Sequence, residues 1–368
     1  MKWDSKPLGE FCKLVNGKAF KADDWSETGL PIIRIQNLND STKPFNHWDG
    51  SLDRQVHVQD GDLLIAWSGT PGTSFGAHIW GGAEGVLNQH IFRVDLVNGE
   101  VTKEWLKFCV NIRLLRLIDQ AHGGVGLKHV TKGAVEAVQI PLPPLAEQKR
   151  IAGILDAADA LRAKRRESLA QLDTLLQSTF LDMFGDPVTN PMGWDMSMIG
   201  EVTTCLDRLR KPVKADDRVD GDIPYYGANG QQGWINEALF DEPLVLVAED
   251  GGHFDTPERG VAYRIDGPAW VNNHAHVLRA LQSVEVEYLH RALRHYDFSP
   301  YISGSTRAKL NQKQLNKAKL LVPPLDLQHR FATIVESVEQ QKARQRAHLA
   351  ELDTLFASLQ SRAFRGDL

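Results

Sequence analysis

The chain has 368 residues, of which 42% are hydrophobic and 24% charged, with a formal net charge of -5. That length gives room for two or three hydrophobic cores, and the negative charge excludes nucleic-acid binding by bulk basicity, so any such site must be concentrated or completed by a partner. No apolar stretch is long enough to cross a bilayer and Met1–Phe11 lacks a signal-peptide core, while Cys12, Cys109 and Cys205 are odd in number and without CxxC spacing; a cytoplasmic protein with free thiols is expected.

From Met1 to about Ile140 the chain alternates short β-rich runs with Gly, Asn and Asp: LPIIRIQNL, DGDLLIAWSG and VLNQHIFRVDLV. A helical stretch from Thr102, TKEWLKFCVNIRLLRLIDQA, follows them, which predicts an α+β unit. The same order returns from about Pro187 in DIPYYGANG, PLVLVAEDGG and WVNNHAHVLRA, then the helical VEVEYLHRALRHY. WDSKPLGEF parallels WDMSMIGEV, Asn88 and His90 fall on Asn272 and His274, and GGVGLKHVTKGAV falls on SGSTRAKLNQKQL.

Each unit is followed by a long amphipathic segment. PLPPLAEQKRIAGILDAADALRAKRRESLAQLDTLL, Pro141 to Leu176, recurs 180 residues later as LVPPLDLQHRFATIVESVEQQKARQRAHLAELDTLF, Leu321 to Phe356. Paired prolines suit a helix entry, where a missing N–H costs nothing. Ile151, Ile154, Leu155, Ala158, Leu161, Leu169, Leu172, Leu175 and Leu176 keep three- and four-residue steps, as do Phe331, Ile334, Val335, Val338, Leu349, Leu352, Leu355 and Phe356. Two such helices, about 50 Å long at 1.5 Å per residue, bury their stripes most simply against one another as a coiled-coil-like antiparallel pair. The stripes weaken at Arg162–Glu167 and Gln340–Ala347, read equally as solvated faces or a partner's contact surface.

Catalytic signatures are absent. NGKAF lacks the preceding glycine and the hydroxyl residue of a phosphate loop, which argues against ATP hydrolysis. No GxGxxG opens a helix, and Asn190-Pro191 is followed by Met192 and Gly193 rather than a second proline and an aromatic, which argues against amino-methyl transfer. His274 and His276, two apart in an expected strand, share a face, but nothing clearly completes a metal site. Glu249 and Asp250 suit a cation, a cytosine amino group or plain solvent, and GTPGTSFG suits a phosphate cradle less well than a turn.

The remaining polar residues suit recognition. The first unit offers Lys18 and Lys21, then Arg34, Gln36 and Asn37 at the end of a strand, Trp67, Ser68 and Thr70 in a Gly-rich loop, and Lys128. The second offers Arg208, Arg210 and Lys211, then Tyr225, Tyr226 and Asn229, then Arg307 and Lys309. Arg, Asn and Gln read base edges bidentately, and Lys and Ser hold phosphates.

With both PPL-led helices and both β-rich units in view, the chain resembles the specificity subunit of a type I restriction-modification system, most specifically in PLPPLAEQKRIAGILDAAD and its partner LVPPLDLQHRF. The second copy departs from the first at Asp326–His329, where DLQH replaces AEQK. The resemblance implies an α+β architecture of two similar target recognition domains, residues 1–142 and 186–322. These are separated by two long antiparallel, coiled-coil-like conserved helical regions, 143–185 and 323–368, with an internal pseudo-two-fold repeat. It implies that each recognition domain reads one half of a bipartite double-stranded DNA target, the helices setting the spacer. The expected partners are two modification (methyltransferase) subunits and restriction (translocase/nuclease) subunits, and no membrane. No cofactor is expected on this chain; S-adenosylmethionine, ATP and magnesium belong to the partners. Two other readings remain at this stage: a stand-alone DNA-modifying or cleaving enzyme centred on Glu249, Asp250 and His274, and a two-headed adaptor that never touches DNA.

Overall fold

The structure is a computed structural model that describes residues 3–40, 42–50, 56–69, 75–119, 128–303 and 308–368. It forms two compact units, one of residues 1–164 and 349–368, the other of residues 165–348. Each long helix therefore contributes one half to each unit.

In the first unit an antiparallel sheet runs in the order Cys12–Asn16, Ile91–Leu96, Leu63–Ala66 and Gly76–Ile79. A second runs His47–Trp48, Leu30–Ile33, Gly85–Leu87 and His57–Val58, with one parallel pairing, Ile32 on Val86. The helix Lys103–Asp119 packs on the first sheet. Alternation explains the strands: Cys12, Leu14, Phe92 and Val94 point into the core while Lys13 and Arg93 point away from it.

The second unit repeats this plan. Its antiparallel sheet runs Thr203–Cys205, Ala275–Ala280, Leu244–Ala248 and Ala262–Ile265. Its other sheet runs Gly230–Ile235, Ile223–Gly227, Pro268–Val271 and Phe240–Asp241, again with one parallel pairing, Tyr225 on Trp270. Backbone hydrogen bonds fix the correspondence. Lys18 N–H donates to Leu87 O and Lys211 N–H to Val271 O; Asn88 N–H donates to Ile33 O and Asn272 N–H to Tyr226 O. Even the Gly-Glu of each unit's entry has the same use: a Cβ on Gly9 would stand 3.2 Å from Glu136 Cβ, and one on Gly200 2.9 Å from Asn316 Cβ.

The long helices, Leu145–Phe184 and Leu325–Arg365, enter behind Pro143–Pro144 and Pro323–Pro324 as expected. The first unit buries Ile151, Ala152 and Leu155 of one helix with Ala363 and Phe364 of the other. The second buries Leu176 and Phe184 with Phe331, Val335 and Val338. Phe364 stacks on Trp105 with ring centroids 5.0 Å apart, and Phe184 meets Tyr288 edge-on at 4.7 Å, pairs that each add about 1 kcal/mol beyond burial. Trp105 Nε1 donates to Pro141 O at 2.9 Å and the Tyr288 hydroxyl to Leu321 O at 2.8 Å, closing each unit over the strand that leads into its helix.

The polar middle of the helices has a use that sequence left undecided. Arg162 pairs with Asp353 at 2.6 Å in the first unit; Lys342, 5% exposed, pairs with Asp173 at 2.6 Å in the second. These four residues are themselves related by the offset of 180. Arg165 donates to Gln345, its own repeat mate. Arg162, Arg165, Lys342 and Gln345 of the polar stretches are helix–helix contacts, because an antiparallel pair sets each copy's arginine or lysine opposite the other copy's aspartate, while Ala163, Lys164, Arg166 and Glu167 and most of Gln340–Ala347 are exposed.

One expected strand was partly wrong. Arg34, Gln36 and Asn37 do not end a strand: Leu30–Ile33 stops and Ile35–Asn39 turns into a short helix. The Asn37 side chain caps that turn by accepting the Arg34 N–H at 3.2 Å.

Candidate nucleic-acid interface

Lys18 and Lys211, which hold the same place in the two frameworks, are both exposed and both lie over a tryptophan. Lys18 Nζ stands 4.6 Å from the Trp48 ring centroid and Lys211 Nζ 5.8 Å from that of Trp270. The aromatic face steadies a long side chain while leaving the ammonium in solvent, as a phosphate-holding lysine requires. Lys21 and Gln36 are exposed in the first unit, and Arg208 in the second.

Arg34 is half-buried. Its Nη2 donates to Asn46 Oδ1 at 2.8 Å and its guanidinium carbon lies 5.8 Å from the Trp25 ring. Its Nε is buried and has no hydrogen-bond partner among the described residues. Tyr226 is half-buried beside Tyr263, and Asn229 is exposed with its Nδ2 donating to Gly251 O at 2.9 Å.

Burial removes other candidates. Asn37, 3% exposed, spends its Nδ2 on Lys43 O, and Ser68 is 4% exposed. Tyr225, 1% exposed, trades both hydrogen bonds of its hydroxyl with the Val213 backbone. Arg210 is bound to Asp207, Glu249 and Ala275 O at 3.2, 2.7 and 2.7 Å. These four are framework, because their polar atoms are committed inside. Lys309 keeps half its side chain in solvent although Nζ pairs with Glu249 at 3.1 Å. Thr70, Arg307 and most of GTPGTSFG lie outside the described residues. Of Lys128 only the backbone is described, pairing with Gly69.

At one framework position the units differ sharply. Trp67 stacks on Phe92 at 5.4 Å and meets His90 edge-on at 5.5 Å. The residues that take those places in the second unit are Glu249, His276 and His274. There His276 is fully buried, its Nδ1 bonded to Asp207 at 2.6 Å and its Nε2 to Leu310 O at 2.7 Å. Burial pushes Asp207 up, but the hydrogen bond and charge of His276 outweigh it and hold the carboxyl below its usual range. Cys205 joins Asp207 and His276 with ligand atoms within 4.8 Å. Those atoms are already spent on hydrogen bonds, Arg210 is adjacent, and burial pushes the thiol up to about 12. The cluster locks strand ends together. His274 does not share a face with His276, since its residue precedes the strand and its side chain is 41% exposed. Sequence reading weighed it as a metal ligand and as part of an enzymatic centre but not among the DNA-reading residues, although it falls on His90 at a strand entry.

This frame, written twice, belongs to a known class. Residues 1–172 and 191–353 match the family described as the type I restriction modification DNA specificity domain, and the chain belongs to that family. Among relatives, it is 33% identical over 140 residues to a putative type I restriction enzyme specificity subunit of Haemophilus influenzae, covering 38% of this chain and 36% of that one. It is 27% identical over 202 residues to the type I restriction enzyme MjaVIII specificity subunit of Methanocaldococcus jannaschii, covering 54% and 46%. The matched segments thus span less than half of each relative. The fold is similar to that of the type I restriction-modification S subunit from M. genitalium, with TM-score 0.65 at 14% identity over 99% of this chain and 96% of that one. No helix among the described residues is long and apolar enough to cross a membrane.

Proposed function

We propose that this chain is the sequence-reading subunit of a type I restriction-modification complex. Each unit reads one half of a bipartite double-stranded DNA target, and the two helices act as spacer and scaffold. The observation that carries this is one framework used twice: Lys18 and Lys211 hold the same place in it, while the other candidate side chains differ, Arg34 and Gln36 in the first unit, Tyr226, Asn229, His274 and Lys309 in the second. A duplicated reader needs a shared scaffold and unlike contacts. Catalysis, with S-adenosylmethionine, ATP and magnesium, falls to the partners.

A second repeat supports two copies of one modification subunit. Ala170, Thr174, Leu175 and Ser178 are exposed on the first helix, and Ala350, Thr354, Leu355 and Ser358 on the second, identical at the offset of 180. Leu175 and Leu355 are 47% and 48% exposed. Two identical apolar patches, each fringed by small hydroxyl residues, suit the same partner surface taken up twice.

The test is to express the chain with its methyltransferase partner and sequence the methylated positions of the host DNA. A bipartite motif with a fixed spacer is expected. Methylation or cleavage by the chain alone would sink the division of labour, and no dependence of the motif on this chain would sink the reading.

A further inference from the structure

At the loop end of the second unit, Asp250 and His274 form a pair that the lysine and arginine contacts above do not use. The Asp250 carboxylate bonds His274 Nδ1 at 2.7 Å; the carboxylate side chain is 15% exposed and the imidazole 41%. The frame holds both. The His274 N–H donates to Asn272 Oδ1 at 2.8 Å, its carbonyl accepts the Glu249 N–H at 2.9 Å, and Asp250 bridges to Lys309. Asn229 ties down the next residue through Gly251 O at 2.9 Å. Among the described residues the outward atom, Nε2, has no hydrogen-bond partner.

We propose that His274, oriented by Asp250, is a specificity-determining residue that accepts a hydrogen bond at Nε2 from the exocyclic amino group of adenine or cytosine in the second half-site. This rests on the DNA-reading function proposed above. An ionised carboxylate only accepts, so Nδ1 carries the hydrogen, and in the neutral ring Nε2 then presents the lone pair. The ring's surroundings argue for a base rather than a phosphate. Asp250 lies on the Nδ1 side of the ring, and a carboxylate there repels a phosphodiester but not a neutral base edge. Lys309, half exposed beside them, supplies the neighbouring phosphate contact. The first unit has no counterpart, because Ser68 stands where Asp250 does and His90 lies against Trp67.

The experiment uses the full chain assembled with its methyltransferase partner, acting on a duplex library degenerate in both half-sites. His274→Ala should lose about tenfold to hundredfold discrimination at one base pair of the second half-site, with the first half-site unchanged. His274→Gln, whose amide reaches the position of Nε2, should retain most of it. Asp250→Asn frees the ring to present Nε2–H, so modification should extend at that same position to guanine or thymine, which offer acceptors. Unchanged preferences, an altered first half-site, or a uniform loss across all sequences would each overturn the proposal. A wild-type assembly with no bipartite preference would instead overturn the reading beneath it.

Discussion

Gln148 and Gln328 do the same work in the two units. Gln148 Oε1 accepts the Thr102 N–H at 3.0 Å and its Nε2 donates to Glu100 O and Pro143 O at 2.8 and 3.0 Å. Gln328 Oε1 accepts the Glu285 N–H at 2.8 Å and its Nε2 donates to Ser283 O and Pro323 O at 3.2 and 2.8 Å. Both are fully buried. Each amide fastens the first turn of a long helix to the loop before the unit's own helix, satisfying backbone groups that water cannot reach. Gln148→Ala and Gln328→Ala should each cost about 2–4 kcal/mol, since an orphaned buried partner costs about 1–3 kcal/mol. Urea unfolding of the single variants checks this, and near-equal losses are expected.

Acid should unfold the second unit through Glu287. Burial pushes its carboxyl up, but His290 and Arg291, at 3.3 and 2.6 Å, outweigh this and bring it down to about 2 from 4.5. Arg264 adds a third contact at 3.0 Å. A depressed carboxyl stabilises the fold above its unfolded value, and this is lost as pH falls from about 4.5 toward 2. The amount is about 3 kcal/mol at 1.36 kcal/mol per unit. Glu287→Gln should be less stable at pH 7 and should flatten the pH dependence of Tm in that window.

Lys342 tests how a nearly buried ammonium is held. Asp173 and Glu339 lie at 2.6 and 2.8 Å. Asp173→Ala should cost under about 1 kcal/mol, because Glu339 remains and Asp173 is largely exposed. Removing both carboxylates strands the charge and should cost about 3–5 kcal/mol. A double-mutant cycle by denaturant titration reads the coupling.

Helix length should set the DNA spacer. Deleting one turn at Ala163–Arg166 together with its repeat, Ala343–Arg346, preserves the Arg162–Asp353 and Lys342–Asp173 pairings. It should shift the spacer in methylome sequencing while both half-sites persist. New half-sites with the old spacer would refute the ruler.

Arg34→Ala and Asn229→Ala should each relax one half-site, at about 1–3 kcal/mol per lost bidentate contact. Lys18→Ala and Lys211→Ala should instead weaken binding to every sequence and lower the salt slope by about one.

The duplicated plan was legible because repeated residues are repeated contacts: Gln148 and Gln328, or Phe184 and Phe364, fall at one offset in sequence and one place in space. Site membership was less so. Asn37 and Tyr225 have the chemistry of readers, and only tertiary burial shows their polar atoms to be spent. The polar helix centres were unreadable for the complementary reason, since Arg162 and Lys342 find Asp353 and Asp173 on the other helix. His274 was set beside His276 by strand alternation, which fails where the strand begins one residue later.

The division of each long helix between units also orders events on the ribosome. Residues 165–348 of the second unit are contiguous, and their contacts can close as soon as that stretch has emerged. The first unit, though translated earlier, lacks Phe364 against Trp105 and Asp353 against Arg162 until the chain has grown past both. At about 5–20 residues per second, its core waits some ten seconds or more with an open face.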